Sequence, residues 1–204
     1  MQKRISMFAA AFALMTGVFA STVLAADKAI VVEMETTEGK IVLELDQAKA
    51  PKTVANFLAY IEKDHYPGTV FHRVMPDFMI QGGGMDATLS EKETLPPIRN
   101  EASNGLRNDE YTIAMARTGD PHSATSQFFI NSGTKNSFLN RADPRSDGFG
   151  YAVFGKVIEG KDVVDKIEAK PTRTVPAPKG GLMENVPVEP VLIQAVRVVS
   201  GVQK

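Results

Sequence analysis

The stretch Phe71-His72-Arg73-Val74-Met75-Pro76-Asp77-Phe78-Met79-Ile80-Gln81-Gly82-Gly83 concentrates side chains that recognise peptides. A guanidinium donates in fixed geometry to carbonyl oxygens. A carboxamide both donates and accepts. Phe and Met together form an apolar slot that adapts to a ring. At strand period Phe71 and Arg73 share one face, and Phe78 and Ile80 alternate with Met79 and Gln81. One surface of a hairpin would then present Arg73 and Gln81 beside aromatic and thioether groups. The same residues also suit an ordinary hairpin, with Phe and Met in a core and Arg on the rim, and on their own they leave both readings open.

Other clusters carry less. Gln81 to Gly84 lacks the Lys-Ser/Thr ending of a phosphate-binding loop. Ser123, Ser126 and His122 lack a Gly-x-Ser-x-Gly elbow and an acid partner. His65, His72 and His122 have no metal-ligand spacing, and the absence of cysteine excludes thiolate zinc sites. No metal or cofactor is expected.

These residues need a scaffold, and the sequence outlines one. Ala29 to Glu35 and Lys40 to Asp46 read as strands around the turn Thr37-Glu38-Gly39; Ile41, Leu43 and Leu45 fall on one face. Pro51 opens a helix with a stripe of Val54, Phe57, Leu58 and Ile61. Thr69–Val74, Phe78–Gln81, Tyr111–Ala116, Gln127–Ile130 and Tyr151–Val157 read as further strands. Gly160–Glu168 reads as a second helix, with Val163, Val164 and Ile167 inward. The Pro- and Gly-rich span 170–190 reads as a surface loop, and Val191–Val199 as the last strand. Asn131 to Gly150 reads as a long loop, a length that often carries function. Eight short strands with two helices predict a mainly β fold, a closed eight-stranded antiparallel barrel capped by two helices, with a flattened sandwich as the alternative.

Residues 1–25 have the three parts of a secretory leader: Lys3 and Arg4, the apolar run Met7–Ala20, and small residues before a cut after Ala25. The run is short for a membrane span. The expected product is residues 26–204, one domain, free of the membrane and exported to the periplasm. It carries 21 basic and 24 acidic side chains, net −3, which gives no nucleic-acid footprint.

Four blocks in order resemble the cyclophilins. Phe71 to Gly83 resembles the family signature Phe-His-Arg, then Phe-Met, one residue, Gln-Gly-Gly. Met115-Ala116, with Ser126-Gln127-Phe128-Phe129-Ile130 behind it, resembles the next motif. Phe138-Leu139 stands where the family has an aromatic-Leu pair, and Tyr151 to Val157 matches the strand that follows. The resemblance runs from about Ala29 to the C-terminus. It implies a peptidyl-prolyl cis-trans isomerase acting on proline-containing segments of folding exported proteins, with Arg73 catalytic.

By the same resemblance Phe78, Met79, Phe129 and Leu139 wall the proline pocket, and Gln81 bonds the substrate backbone. Ala116 and Arg117 fall where the residue before proline binds. Gln127 supports Arg73 or the substrate, and His72 and Tyr151 lie at the margin. Three positions depart from the eukaryotic pattern: Arg117 for Asn, Phe138 for Trp and Tyr151 for His, choices that resemble the exported bacterial subgroup. Phe138 lacks the indole N–H donor, so cyclosporin-type ligands are expected to bind weakly. A monomer is expected. Two rival functions remain at this level: a binding module whose groove grips proline peptides without turnover, and a lipocalin-like carrier, which would need a hollow interior.

Overall fold

The computed structural model describes residues 29–200; the expected leader lies outside them. The elements run β1 (Ile30–Thr36), β2 (Gly39–Leu45), α1 (Pro51–Glu62), β3 (Thr69–Met75), β4 (Met79–Asp86), β5 (Thr112–Met115), β6 (Phe128–Asn131), a 3₁₀ turn (Asn136–Leu139), β7 (Val153–Glu159), α2 (Lys161–Glu168), β8 (Thr172–Pro176), β9 (Leu182–Pro187) and β10 (Ile193–Ser200). Eight strands make one sheet in the order β10-β1-β2-β7-β5-β6-β4-β3, and β8-β9 form a separate hairpin. No helix among the described residues is long and apolar enough to cross a membrane.

The sheet is an open half-barrel rather than the closed barrel expected. Its edge strands β3 and β10 form no ladder with each other; the seam between them holds the isolated bridge Val70–Leu192 and two flanking backbone bonds. Gly68 N–H donates to the Ile193 carbonyl at 2.8 Å, and Phe71 N–H to the Val191 carbonyl at 3.0 Å. The chain reaches this seam through Pro190, which has no N–H to extend a ladder. Beyond it, β9 lies against β3.

That hairpin replaces the surface loop expected over 170–190. Gly180 and Gly181, both with φ near +90°, make its turn, as a Gly-Gly pair does where left-handed backbone is required. Val186 of β9 is buried.

The concave face holds the core. Val32, Met34, Ile41, Leu43, Ile80, Ile113, Phe128, Phe154 and Ile193 from the strands meet Val54, Phe57 and Tyr60 from α1, and Val164 and Ile167 from α2. The interior is filled, against what a hollow carrier requires. Helix α1 is turned from the stripe expected. Tyr60 is buried in the core with its hydroxyl satisfied by the Leu95 N–H, which it accepts at 2.8 Å; Leu58 and Ile61 are only partly buried. Ala50 offers no side-chain cap. The Glu101 carboxylate does it instead, accepting the Lys52 and Thr53 N–H groups and the Thr53 hydroxyl at 2.8–3.2 Å, where a negative charge also suits the helix dipole. Asn56 Nδ2 donates to the Thr125 carbonyl at 2.7 Å. Helix α1 therefore anchors both long loops that lead toward β6.

Candidate functional site

A β-bulge decides which side chains reach the convex face. Phe71 pairs with Gly82, and Arg73 with Gln81, so one residue of β3 has no opposite number. Phe71 and Val74 both turn into the core while Arg73 is exposed. The expectation that Phe71 and Arg73 share a face is thereby corrected. Gly82 permits the irregular pairing: a Cβ there would stand 2.9 Å from the Val70 carbonyl oxygen.

Arg73 and Gln81 are neighbours across the ladder. Gln81 Nε2 donates to Gln127 Oε1 at 2.9 Å. Gln127 lies flat over β4 because the next residue but two along from Gln81 is Gly84, where a Cβ would fall 2.2 Å from Gln127 Cγ. The glycine run thus serves close approach of a side chain. No carboxylate pairs with Arg73 among the described residues, so its N–H donors face solvent.

Beside this polar edge lies a second apolar cluster, on the opposite side of the sheet from the core. The ladders align Gln81 with Phe129, Phe129 with Ala114 and Ala114 with Val153. Met79, Ala114, Phe129, Leu139 and Val153 form the cluster's centre, and Met75, Phe78, Leu106, Ala116 and Tyr151 pack around it. Phe78 stacks on Phe138 with ring centroids 5.6 Å apart, and Phe138 remains 36% exposed. The Tyr151 ring stands edge-on to Phe129 at 5.6 Å, and the Arg117 guanidinium lies 4.4 Å above the Tyr151 ring.

Of the residues singled out from the sequence, Phe78, Met79, Ala116, Phe129, Leu139 and Tyr151 meet in this cluster, with Phe138 on Phe78 and Arg117 on Tyr151. Arg73, Gln81 and Gln127 line up on the strands beside it. His72 does not join them. It is buried beneath the hairpin, in a cavity of about 60 Å³ with Val70, Leu89, Arg173, Val175 and Pro187. Burial there pushes its pKa down to about 4, partly offset by the Val70 backbone. Met75, Leu106, Ala114 and Val153 were not anticipated. Ala114 stands two residues before Ala116 and was legible by strand period; Leu106 sits in a loop and carried no signal.

A chain of buried asparagines holds the walls. Asn136 Nδ2 donates to the Phe78 carbonyl at 2.7 Å and to Asn131 Oδ1 at 2.8 Å. Asn131 Nδ2 donates to Thr112 Oγ1 at 2.9 Å and to Asn108 Oδ1 at 3.3 Å. Asn108 donates through its backbone to Asn140 Oδ1 at 2.7 Å, and through Nδ2 to the Tyr151 carbonyl at 3.3 Å. The Phe78 carbonyl also accepts the Ser132 and Gly133 N–H groups. Two opposite walls, Phe78 and Tyr151, are thus tied to one polar spine. Such a network fixes geometry where its members are satisfied; of the four asparagines, Asn140 alone has an amide nitrogen without a partner among the described residues.

The result is an apolar recess bordered by a free guanidinium and a pair of carboxamides. No group of three or more potential metal ligands occurs among the described residues. The arrangement suits an extended peptide with a ring-shaped apolar residue.

Comparison with known proteins gives the same direction. The family model described as cyclophilin type peptidyl-prolyl cis-trans isomerase/CLD matches residues 31–198. Peptidyl-prolyl cis-trans isomerase cyp18 of Streptomyces antibioticus is 57% identical over 167 residues, covering 82% of this chain and 97% of that protein. Peptidyl-prolyl cis-trans isomerase B of Escherichia coli (strain K12) is 48% identical over 167 residues, covering 82% and 98%. Among solved structures, a cyclophilin type peptidyl-prolyl cis-trans isomerase of Cryptosporidium parvum superposes with a TM-score of 0.65 at 24% identity, covering 84% of this chain and 98% of that one. The same Cryptosporidium protein solved in the presence of the dipeptide Ala-Pro gives 0.64, at 24% identity, over 83% of this chain and 99% of that one. At that identity the structures speak for the fold.

Proposed function

The chain belongs to the cyclophilin-type peptidyl-prolyl cis-trans isomerase family, and we propose that it turns X–Pro bonds in exported proteins with Arg73 as its catalytic group. The observation that carries the assignment of Arg73 is its place: an exposed guanidinium without a carboxylate partner, across the ladder from Gln81 and beside the apolar recess.

Rotation about an X–Pro bond breaks amide resonance against a barrier of about 18–20 kcal/mol. Uncatalysed exchange takes tens to hundreds of seconds. No nucleophile is required, only tighter binding of the twisted amide than of either planar form. In the twisted state the prolyl nitrogen is pyramidal and regains its lone pair, and Arg73 donates to it. Phe78, Met79, Phe129 and Leu139 hold the ring while the preceding carbonyl swings. Gln81, oriented by Gln127, holds the substrate backbone. Each ~1.4 kcal/mol of selective stabilisation gives tenfold in rate.

Exchange spectroscopy on an X–Pro peptide tests this. Arg73→Ala should lower turnover by orders of magnitude with the melting temperature unchanged. Near-normal exchange by that folded variant would overturn the role, and tight binding without exchange by the wild type would favour a pure binding module.

Export is supported by the pattern of residues 1–25. Mass spectrometry of the periplasmic fraction should find a product that starts at Ala26. A full-length chain retained inside the cell would refute it.

A further inference from the structure

We infer that Asp147 and Arg117 form a positioning pair that sets one wall of the recess through the Tyr151 ring, so that Arg117 shapes the site without donating to the substrate. The inference rests on the isomerase reading above.

The Arg117 guanidinium is already engaged on every side. Its Nε donates to the Gly150 carbonyl at 3.2 Å and its Nη1 to the Thr118 carbonyl at 2.9 Å. Its Nη2 donates to the Asp147 carboxylate. Its plane covers the Tyr151 ring at 4.4 Å. The side chain is 3% exposed, in contrast to the exposed Arg73. Few donors remain to reach a peptide.

Asp147 is the other half of the device. Its Oδ1 accepts the Phe149 and Gly150 N–H groups at 2.9 Å each, while Oδ2 takes Arg117. One carboxylate therefore shapes the end of the long loop and fixes the guanidinium. Partial burial pushes the Asp147 pKa up, but Arg117 and the two N–H groups outweigh it and hold the carboxyl down at about 2. The charge is present throughout the physiological range. Gly150 has φ +66°, and a Cβ there would lie 2.4 Å from Arg141 N, so the loop closes tightly just before Tyr151.

The Tyr151 main chain is held independently, by its N–H on the Leu139 carbonyl at 2.9 Å and by Asn108 on its own carbonyl. What remains to be set is the ring. Phe129 meets it edge-on, and Arg117 covers a face. A cation over an aromatic face is drawn to the ring electrostatically, the more strongly when both are shielded from water. A line of contacts thus runs from a loop carboxylate, through a guanidinium and a phenol ring, to Phe129 in the recess.

The test uses the full chain as wild type, Asp147→Ala, Asp147→Asn, Arg117→Lys and the Arg117→Lys/Asp147→Ala double variant. Each is measured for kcat and KM on tetrapeptides with Ala, Leu or Phe before proline, beside a thermal melt. Loss of a wall that binds substrate and twisted amide alike should raise KM about fivefold with kcat within about twofold. Because both residues act through one ring, the double variant should match the single ones. Asp147→Asn keeps an acceptor for the loop N–H groups, loses the charge, and should shift KM in the same direction; it decides the matter where Asp147→Ala fails to fold. An unchanged KM in a folded Asp147 variant overturns the pair, as does multiplication of the two effects in the double variant. A fall in kcat at constant KM for Arg117→Lys overturns it too, since Arg117 would then act in the rotation itself. A wild type inactive on every peptide refutes the isomerase reading, on which the pair depends.

Discussion

Phe128 and Phe129 are adjacent in β6 and almost equally buried, at 0% and 4% exposure, yet they belong to different machines. Phe128 points into the core, edge-on to Phe57, Tyr66 and Phe71. Phe129 points to the convex face, where its aromatic neighbour is Tyr151. Met79 and Ile80 divide in the same way between the two clusters. Burial alone does not separate a core from a recess. The surroundings do: the inner cluster is aromatic and aliphatic throughout, while the outer one is bordered by Arg73, Gln81 and Gln127 and backed by four buried asparagines.

The largest effect expected from this contrast is on stability. Phe128→Ala should cost about 3–5 kcal/mol, the usual toll of a large aromatic removed from a close-packed core. Phe129→Ala removes a side chain from a smaller cluster open at its rim. It should cost less stability and more substrate capture, raising KM for an X–Pro peptide. Denaturant titration beside the exchange assay measures both. Equal stability losses, with equal activity per folded molecule, would collapse the distinction.

Most of the recess was legible through the resemblance of its ordered motifs to those of the cyclophilins; the residue types and their strand period alone left an ordinary hairpin open. Three features were not legible. The bulge at Phe71–Arg73 depends on Gly82 meeting the Val70 carbonyl, a contact that exists only once β3 and β4 have paired. His72 follows from the bulge and from the hairpin above it, whose Pro- and Gly-rich sequence has the composition of a surface loop. The open seam depends on where β10 starts relative to β3, which the alternation within either strand does not set. The succession of eight strands and two helices along the chain was readable; their order in the sheet and its closure were not.

The part of β3 beneath the β8-β9 hairpin should also control the pH dependence of stability. Burial holds His72 near pKa 4, against 6.5 in the unfolded chain, and burial lowers His65 in the same direction. Between these values the unfolded state binds the extra proton. Stability is therefore full above about pH 6.5 and falls as the pH drops toward 4, by up to about 3 kcal/mol for His72. His72→Gln should flatten that slope. An unchanged slope would show that His72 is not held neutral by its burial.

Next in size is the polar spine. Asn131→Ala removes the donor to Thr112 and the acceptor for Asn136. Unpaired buried partners cost about 1–3 kcal/mol. If the spine sets the distance between the Phe78 and Tyr151 walls, KM should rise beyond what the stability loss explains. A destabilised variant with wild-type KM per folded molecule would reduce the spine to ordinary structure.

The smallest effect belongs to the rim. Phe138 stacks on Phe78 at the recess edge and is partly exposed, so replacing one aromatic with another should leave stability nearly unchanged. Phe138→Trp adds an indole N–H where the eukaryotic members of the family have one. A single hydrogen bond nets about 0.5–1.5 kcal/mol, so a cyclosporin-type ligand should bind up to about tenfold more tightly while peptide exchange stays within about twofold. The chain has no tryptophan of its own, so the new indole is also a unique fluorescent probe, and its quenching on titration reports the same equilibrium as inhibition. Inhibition of the unaltered protein as strong as that of the Trp variant would show that the donor is irrelevant and that the weak ligand binding expected from Phe138 has no basis in the rim.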